Sequence, residues 1–241
     1  MRIIVVKDYN EMSAKAAQIV ASQLTLNPSS ILGLATGSTP EGMYKELIRM
    51  NKEGLIDFTD VRSFNLDEYK GLVPSHDQSY DYFMKDKFFN HINIDHANTR
   101  VPNGVAADFE EEGRSYDLEI EKAGGIDLQI LGIGSNAHIA FNEPGPAFEV
   151  GTHVVKLTPE TIEANSRFFE NVADVPTEAI TMGVGSIFKA KKIVLLASGA
   201  GKAQAILDTL KGKVQPGTQS SILQLHPDVT LIIDEAAAAL I

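Results

Sequence analysis

Short apolar runs rich in Ile, Val and Leu alternate along the chain with longer stretches in which apolar positions recur every three or four residues. The first pattern predicts strands over residues 3–6, 31–34, 61–66, 128–133, 154–157, 193–197 and 229–233. The second predicts helices over 11–23, 40–51, 79–89, 108–122, 160–169 and 202–211. Strands and helices taking turns argue for βαβ crossovers, hence one α/β domain on a twisted, mainly parallel sheet with helices on both faces. Glu41 follows Ser38 by three residues and Pro40 follows Thr39, so the second helix carries the spacing of a capping box and a proline at or near its first position. Residues 158–177, between two predicted strands, are polar and hold Pro159 and Pro176; they suit either a surface helix with a loop or a movable lid.

Composition narrows the class. A chain of 241 residues, 44% hydrophobic and 22% charged, is long enough to bury a sizeable core without a staple. Acidic side chains outnumber basic ones by 32 to 21, a net charge of -11, and such a surface repels phosphate backbones and anionic headgroups. Neither nucleic acid nor a membrane is therefore the expected partner. The absence of cysteine excludes disulfides, thiolate zinc sites and cysteine nucleophiles. The apolar run at 3–6 is too short for a signal-peptide core, and no later run approaches the ~20 residues of a membrane span, so the expected location is the cytoplasm.

In open parallel sheets ligands bind beyond the carboxyl ends of the strands, which directs attention to the residues just after each strand. After the second strand come Thr36, Gly37, Ser38 and Thr39, whose hydroxyls and helix-start N–H groups suit an anion such as phosphate; a plain capped turn is the alternative. After the third come Asp67 and Glu68, either of which suits a general base, the alternative being a helix cap or solvated turn. After the fourth, Gly132, Gly134 and Ala137 formally match a dinucleotide fingerprint, but Pro144 and Gly145 follow too soon for the long helix that fingerprint opens. What remains there is a tight glycine turn, His138, and Glu143 five residues later, a spacing that fits no common zinc pattern and leaves a histidine oriented by a carboxylate. Lys202 follows a Ser-Gly-Ala-Gly run and opens a helix without completing a Walker A loop, and Arg167 lies in the polar 158–177 stretch. In so acidic a protein an anionic substrate needs local positive charge of this kind.

Taken jointly, the segments Ala-Thr-Gly-Ser-Thr-Pro at 35–40, Asn-Leu-Asp-Glu-Tyr at 65–69, Gly-Ser-Asn-Ala-His-Ile-Ala-Phe-Asn-Glu-Pro at 134–144, Ala-Asn-Ser-Arg-Phe-Phe at 164–169 and Leu-Gln-Leu-His at 223–226 resemble the glucosamine-6-phosphate deaminases, in matching order over nearly the whole chain. The resemblance implies a cofactor-free enzyme with a Rossmann-like sheet and no metal, acting on a small amino-sugar phosphate and releasing ammonia and fructose 6-phosphate. By position it implies that Asp67 is the base moving a proton between C2 and C1. It makes His138 the ring-opening acid and base, supported by Glu143 and Asn136. The same resemblance implies that Thr36, Gly37, Ser38, Thr39, Arg167 and Lys202 cradle the phosphate, and that the segment around Arg167 is the lid. Many members have Gly where Ser38 and Ala137 stand, so φ at 137 is either negative or strained, and some have Asp where Asn136 stands, which leaves Glu143 to carry the relay. Rival readings are a 6-phosphogluconolactonase, a ribose-phosphate isomerase or a non-catalytic amino-sugar-phosphate sensor. The longer, allosteric relatives carry a C-terminal extension, whereas this chain stops at Ile241, so a monomer without an allosteric activator is the expectation.

Overall fold

The computed structural model describes residues 1–166, 169, 171 and 174–241. Its first half runs β1 (Arg2–Val6), α1 (Tyr9–Leu26), β2 (Ile31–Leu34), α2 (Ser38–Lys52), β3 (Arg62–Asn65), β4 (Asp67–Tyr69), α3 (Tyr80–Lys87), β5 (Thr99–Arg100), α4 (Phe109–Ala123) and β6 (Leu128–Leu131). The second half adds β7 (His153–Lys156), α5 (Pro159–Ser166), β8 (Glu178–Thr181), α6 (Val184–Phe188), β9 (Ile193–Ala197), α7 (Ala203–Lys211) and β10 (Val229–Asp234). Seven strands form one parallel sheet in the order β1-β10-β9-β6-β2-β3-β5.

Strand side chains alternate between two helix layers, which is why β2, β6 and β9 are buried at every position rather than at every second one. Leu32, Leu34, Ile130, Leu196 and Ile232 pack with Met12, Ala16 and Val20 of α1 and Met43, Tyr44 and Leu47 of α2. Their neighbours Ile31, Leu131, Leu195 and Ile233 point the other way, toward Tyr116 and Ile120 of α4, Ile187 of α6 and Ile206 of α7. Asp108 caps α4 through bonds from the Glu110 and Glu111 N–H groups, and Gly124 ends it in the left-handed conformation.

From β2 the chain moves to β3 and β5 toward one edge, and from β6 it moves to β9 and β10 toward the other. The strand order thus reverses between β2 and β6, and a crevice opens at their carboxyl ends.

The expected strand over 61–66 divides. Leu66 donates its N–H to the Leu34 carbonyl at 3.2 Å and accepts the Met182 N–H at 2.7 Å, bridging two sheets. The chain therefore leaves the parallel sheet there and enters a three-stranded antiparallel one, β4-β8-β7, with Asp67 opposite Thr181. The strand foreseen near 154–157 belongs to this small sheet too, and α5 is an insertion between β7 and β8. The capping box foreseen at Ser38 does not form: α2 begins two residues earlier than expected, with Gly37 at the cap and no side-chain bond to it, so Pro40 is the third helical residue. Two-residue β5 and five-residue α6 escape the pattern because each is too short to show a period, and β8 because Glu178 and Thr181 leave it only two apolar residues, Ala179 and Ile180. Among the described residues no helix is long and apolar enough to cross a membrane.

Candidate active site

The crevice holds a cavity of about 270 Å³, at the small end of ligand pockets. Thr36, Gly37, Ser38, Thr39, Asp67, Asn136, His138 and Lys202 all line it. Segments as far apart in sequence as 36 and 202 therefore converge on one space, while Arg167 lies outside the described residues.

One wall has the chemistry that suits an anion. Gly37 has φ of 90°, a value glycine takes without steric cost, and it turns the chain so that the positive end of α2 opens on the cavity beside the three hydroxyls. Lys202 comes from a second turn, entered through Gly199 with φ of 93°. Asp234, at the end of β10, holds that turn: it accepts the Ser198 hydroxyl at 2.6 Å and the Gly199 N–H at 3.0 Å. Partial burial works against its ionised form, but bonds from Ser198, Ala237 and Gly199 outweigh burial and keep its carboxyl below the usual range. Sequence reading missed Asp234; its only signal was an acid closing the last apolar strand.

The two acids of β4 are both buried, so neither stands in a solvated turn. Glu68 takes the capping role: it accepts N–H bonds from Tyr69 at 2.8 Å, Tyr80 at 2.9 Å and Asp81 at 3.0 Å, tying β4 to the start of α3. Asp67 faces the cavity, and burial, reinforced by the charge of Glu68, pushes its carboxyl up to about 8. Tyr69, Tyr80, Phe141 and Phe169 pack as an aromatic group beside it.

The third wall is the loop after β6. Ala137 and Ala140 both have positive φ, 65° and 51°, so of the two readings open at 137 strain is the one realised. Gly134 donates its N–H to the His138 carbonyl at 2.9 Å, and Ser220 donates to the Ala137 carbonyl at 3.0 Å, which pins this backbone around His138. The imidazole Nδ1 lies 3.2 Å from Glu143 Oε2, which also accepts Asn136 Nδ2 at 2.8 Å. Burial disfavours the Glu143 charge, yet the hydrogen bond and charge of His138, with bonds from Thr161 and Asn136, outweigh it and hold the carboxyl down at about 2. Thr158 and Thr161, which the sequence reading passed over, reach Glu143 from α5 and the residue before it. His226, by contrast, is a structural group: its Nε2 lies 2.8 Å from the Ala190 carbonyl.

Among the described residues no three His, Asp or Glu side chains gather as a metal site. The arrangement offers two groups of different kinds suited to carrying protons, a desolvated carboxyl and an imidazole braced by an ionised carboxylate, in a cavity whose hydroxyls, helix-start N–H groups and lysine suit an anion.

Fold and site together define a sugar-phosphate enzyme class: the sequence profile described as glucosamine-6-phosphate isomerases/6-phosphogluconolactonase matches residues 7–224. Solved 6-phosphogluconolactonases share the fold alone; that of Trypanosoma brucei has a TM-score of 0.76 at 20% identity, covering 99% of this chain and 97% of that one. Within this class the chain belongs to the glucosamine-6-phosphate deaminase family. It is 61% identical to the glucosamine-6-phosphate deaminase of Thermoanaerobacter pseudethanolicus over 241 residues, 100% of this chain and 95% of that one. It is 58% identical to that of Clostridioides difficile over 239 residues, 99% and 96% of the two chains. A solved monomeric glucosamine-6-phosphate deaminase superposes with a TM-score of 0.98 at 43% identity, covering 100% of both chains.

Proposed function

We infer that the chain converts glucosamine 6-phosphate and water to fructose 6-phosphate and ammonia. The observation that carries this reading is the meeting of Asp67 and His138, the latter backed by Glu143, in one cavity with the α2 and Lys202 turns.

The order of steps follows from carbon acidity. A C2 hydrogen of the closed sugar is not removable, so His138 first takes the proton of the C1 hydroxyl and delivers it to the ring oxygen, giving the open aldehyde. Asp67 then takes the C2 proton while the electron pair moves through C1–C2 to the aldehyde oxygen, which receives through His138 the proton shed by the substrate ammonium, leaving a neutral enolamine. Asp67 returns its proton to C1, leaving an iminium at C2; water adds there, its two protons pass to the nitrogen, and ammonium departs to leave the ketone. A carboxyl raised to about 8 is protonated at neutral pH, and the ammonium of the incoming substrate, one bond from C2, favours its ionised form. The phosphate takes no part in bond changes; held at Thr36, Gly37, Ser38, Thr39, Lys202 and Arg167, it sets C1 and C2 in register with Asp67. Residues 158–177 serve as a lid over the sugar, and the chain works as a monomer without a cofactor.

Glucosamine 6-phosphate incubated with the protein and a chelator tests the reading: ammonia and fructose 6-phosphate in equal amounts support it. Hydrolysis of 6-phosphogluconolactone with no ammonia release would instead select the lactonase alternative. Protease protection of 158–177 on adding substrate supports the lid, and unchanged cleavage opposes it.

A further inference from the structure

We propose that Thr161, assisted by Thr158, is a positioning residue that couples the docking of α5 to the proton-transfer pair His138–Glu143. The two oxygens of Glu143 serve different parts of the molecule. Oε2 faces the loop after β6, with Asn136 Nδ2 at 2.8 Å and His138 Nδ1 at 3.2 Å. Oε1 faces the insertion between β7 and β8: it accepts the Thr161 hydroxyl in a short bond, with the Thr158 hydroxyl at 3.3 Å and the Thr158 N–H at 3.4 Å.

Thr158 stands immediately before α5, and the Ile162 N–H closes the first turn on its carbonyl at 3.0 Å. The two threonine hydroxyls are 3.1 Å apart. Thr158 Oγ1 accepts the Thr161 N–H at 3.3 Å as the helix's own cap, and Glu143, from a distant loop, adds a buried anion at the amino end of α5 besides Glu160 of its first turn. Thr161 is buried and so is the Glu143 side chain, so the bond between them is desolvated and charge-assisted. With α5 docked, both carboxylate oxygens are occupied and Glu143 has one orientation, the one that meets His138. With α5 displaced, Oε1 loses every partner named above, and Glu143 has no reason to keep facing the imidazole. Because α5 also lines the cavity through Glu160, Thr161 and Asn165, the same element that borders the substrate space sets the pair that moves its protons. Coupling of this kind is reciprocal, so the charge on Glu143 must in turn hold α5 in place.

This inference deepens the deaminase reading and rests on it. Its test compares wild type, Thr161→Val and Thr161→Ser in steady-state turnover of glucosamine 6-phosphate, and hydrogen exchange of α5 in wild type and Glu143→Gln. Valine keeps the shape and deletes the hydroxyl, so kcat falls about ten- to hundredfold with KM changed by less than about threefold, while serine restores most of kcat. In Glu143→Gln the α5 amides exchange faster, with α4 unaffected. Turnover of Thr161→Val within about twofold of wild type, an equal loss in Thr161→Ser, or unchanged α5 exchange in Glu143→Gln would each overturn the proposal. A wild-type protein that releases no ammonia refutes the deaminase reading itself, and the exchange measurement then still reports whether Glu143 holds α5.

Discussion

Gly134 lies against the imidazole of His138, so close that a Cβ on it would stand 2.5 Å from Cε1 and 2.6 Å from both ring nitrogens. Absence of a side chain at 134 is therefore part of what places the ring, alongside the bond from the Gly134 N–H to the His138 carbonyl. The Gly134→Ala variant is expected to fold, because the ring can swing aside, and to lose about 10²-fold in kcat as His138 leaves its position. Circular dichroism and ammonia release measured together check this; full activity would show that ring placement is not limiting.

Asp67 has to be ionised to act as a base, and burial beside Glu68 raises its carboxyl to about 8. Since kcat/KM reports the free enzyme, its acid limb is expected near that value, rising with pH. The limb of kcat, which reports the occupied site, is expected at lower pH because the substrate ammonium favours the carboxylate. Coincident limbs, or a kcat/KM limb near the pH of an ordinary carboxylate, would remove Asp67 from the role. Asp67→Asn is expected to lose about 10²–10⁴-fold in kcat with little change in KM.

The same carboxyl lowers stability, and the sign follows from its raised value. Folded and unfolded forms are both protonated below the unfolded value of 3.8, so the group contributes nothing there. Between 3.8 and about 8 the unfolded chain ionises while the folded one resists, and the cost grows until it levels off above about 8. Asn, neutral throughout, escapes this, so thermal denaturation should show Asp67→Asn equal to wild type near pH 4 and more stable by pH 8. A difference independent of pH would contradict the assignment.

Lys202 and Asp234 belong to one turn, the first lining the cavity and the second bonded to the Ser198–Gly199 backbone and hydroxyl. Lys202→Ala is expected to raise KM for the sugar phosphate by about tenfold or more with a smaller effect on kcat, since a charged hydrogen bond is lost. Asp234→Ala should raise KM in the same sense by freeing the Ser198–Gly199 turn. Unchanged KM in both would place the phosphate elsewhere.

Ala137 holds φ of 65° while buried. Glycine there removes strain of about 1–2 kcal/mol and adds unfolded-chain entropy worth about 0.5–1 kcal/mol, so Ala137→Gly should leave stability within about 1 kcal/mol of wild type. Ala137→Val, branched at Cβ in a left-handed site, should lose clearly more. Chemical denaturation of the two variants separates these outcomes.

The sequence by itself determined the layered parallel sheet, because burial on both faces leaves continuous apolar runs such as those at 31–34 and 193–197, and burial on one face leaves the helical period of 108–122. It also marked where chemistry belongs, since glycine and hydroxyl residues at 36–39 and the turn before His138 answer to local backbone demands. Tertiary structure alone decided that the chain breaks at Leu66 to pass between two sheets, that Asp67 is buried beside Glu68 while Glu68 caps α3, and that Glu143 divides its oxygens between His138 and Thr161. Periodicity and turn chemistry are properties of neighbours along the chain. Desolvation and long-range hydrogen bonds belong to whatever packing brings together, and 18 residues separate Glu143 from Thr161.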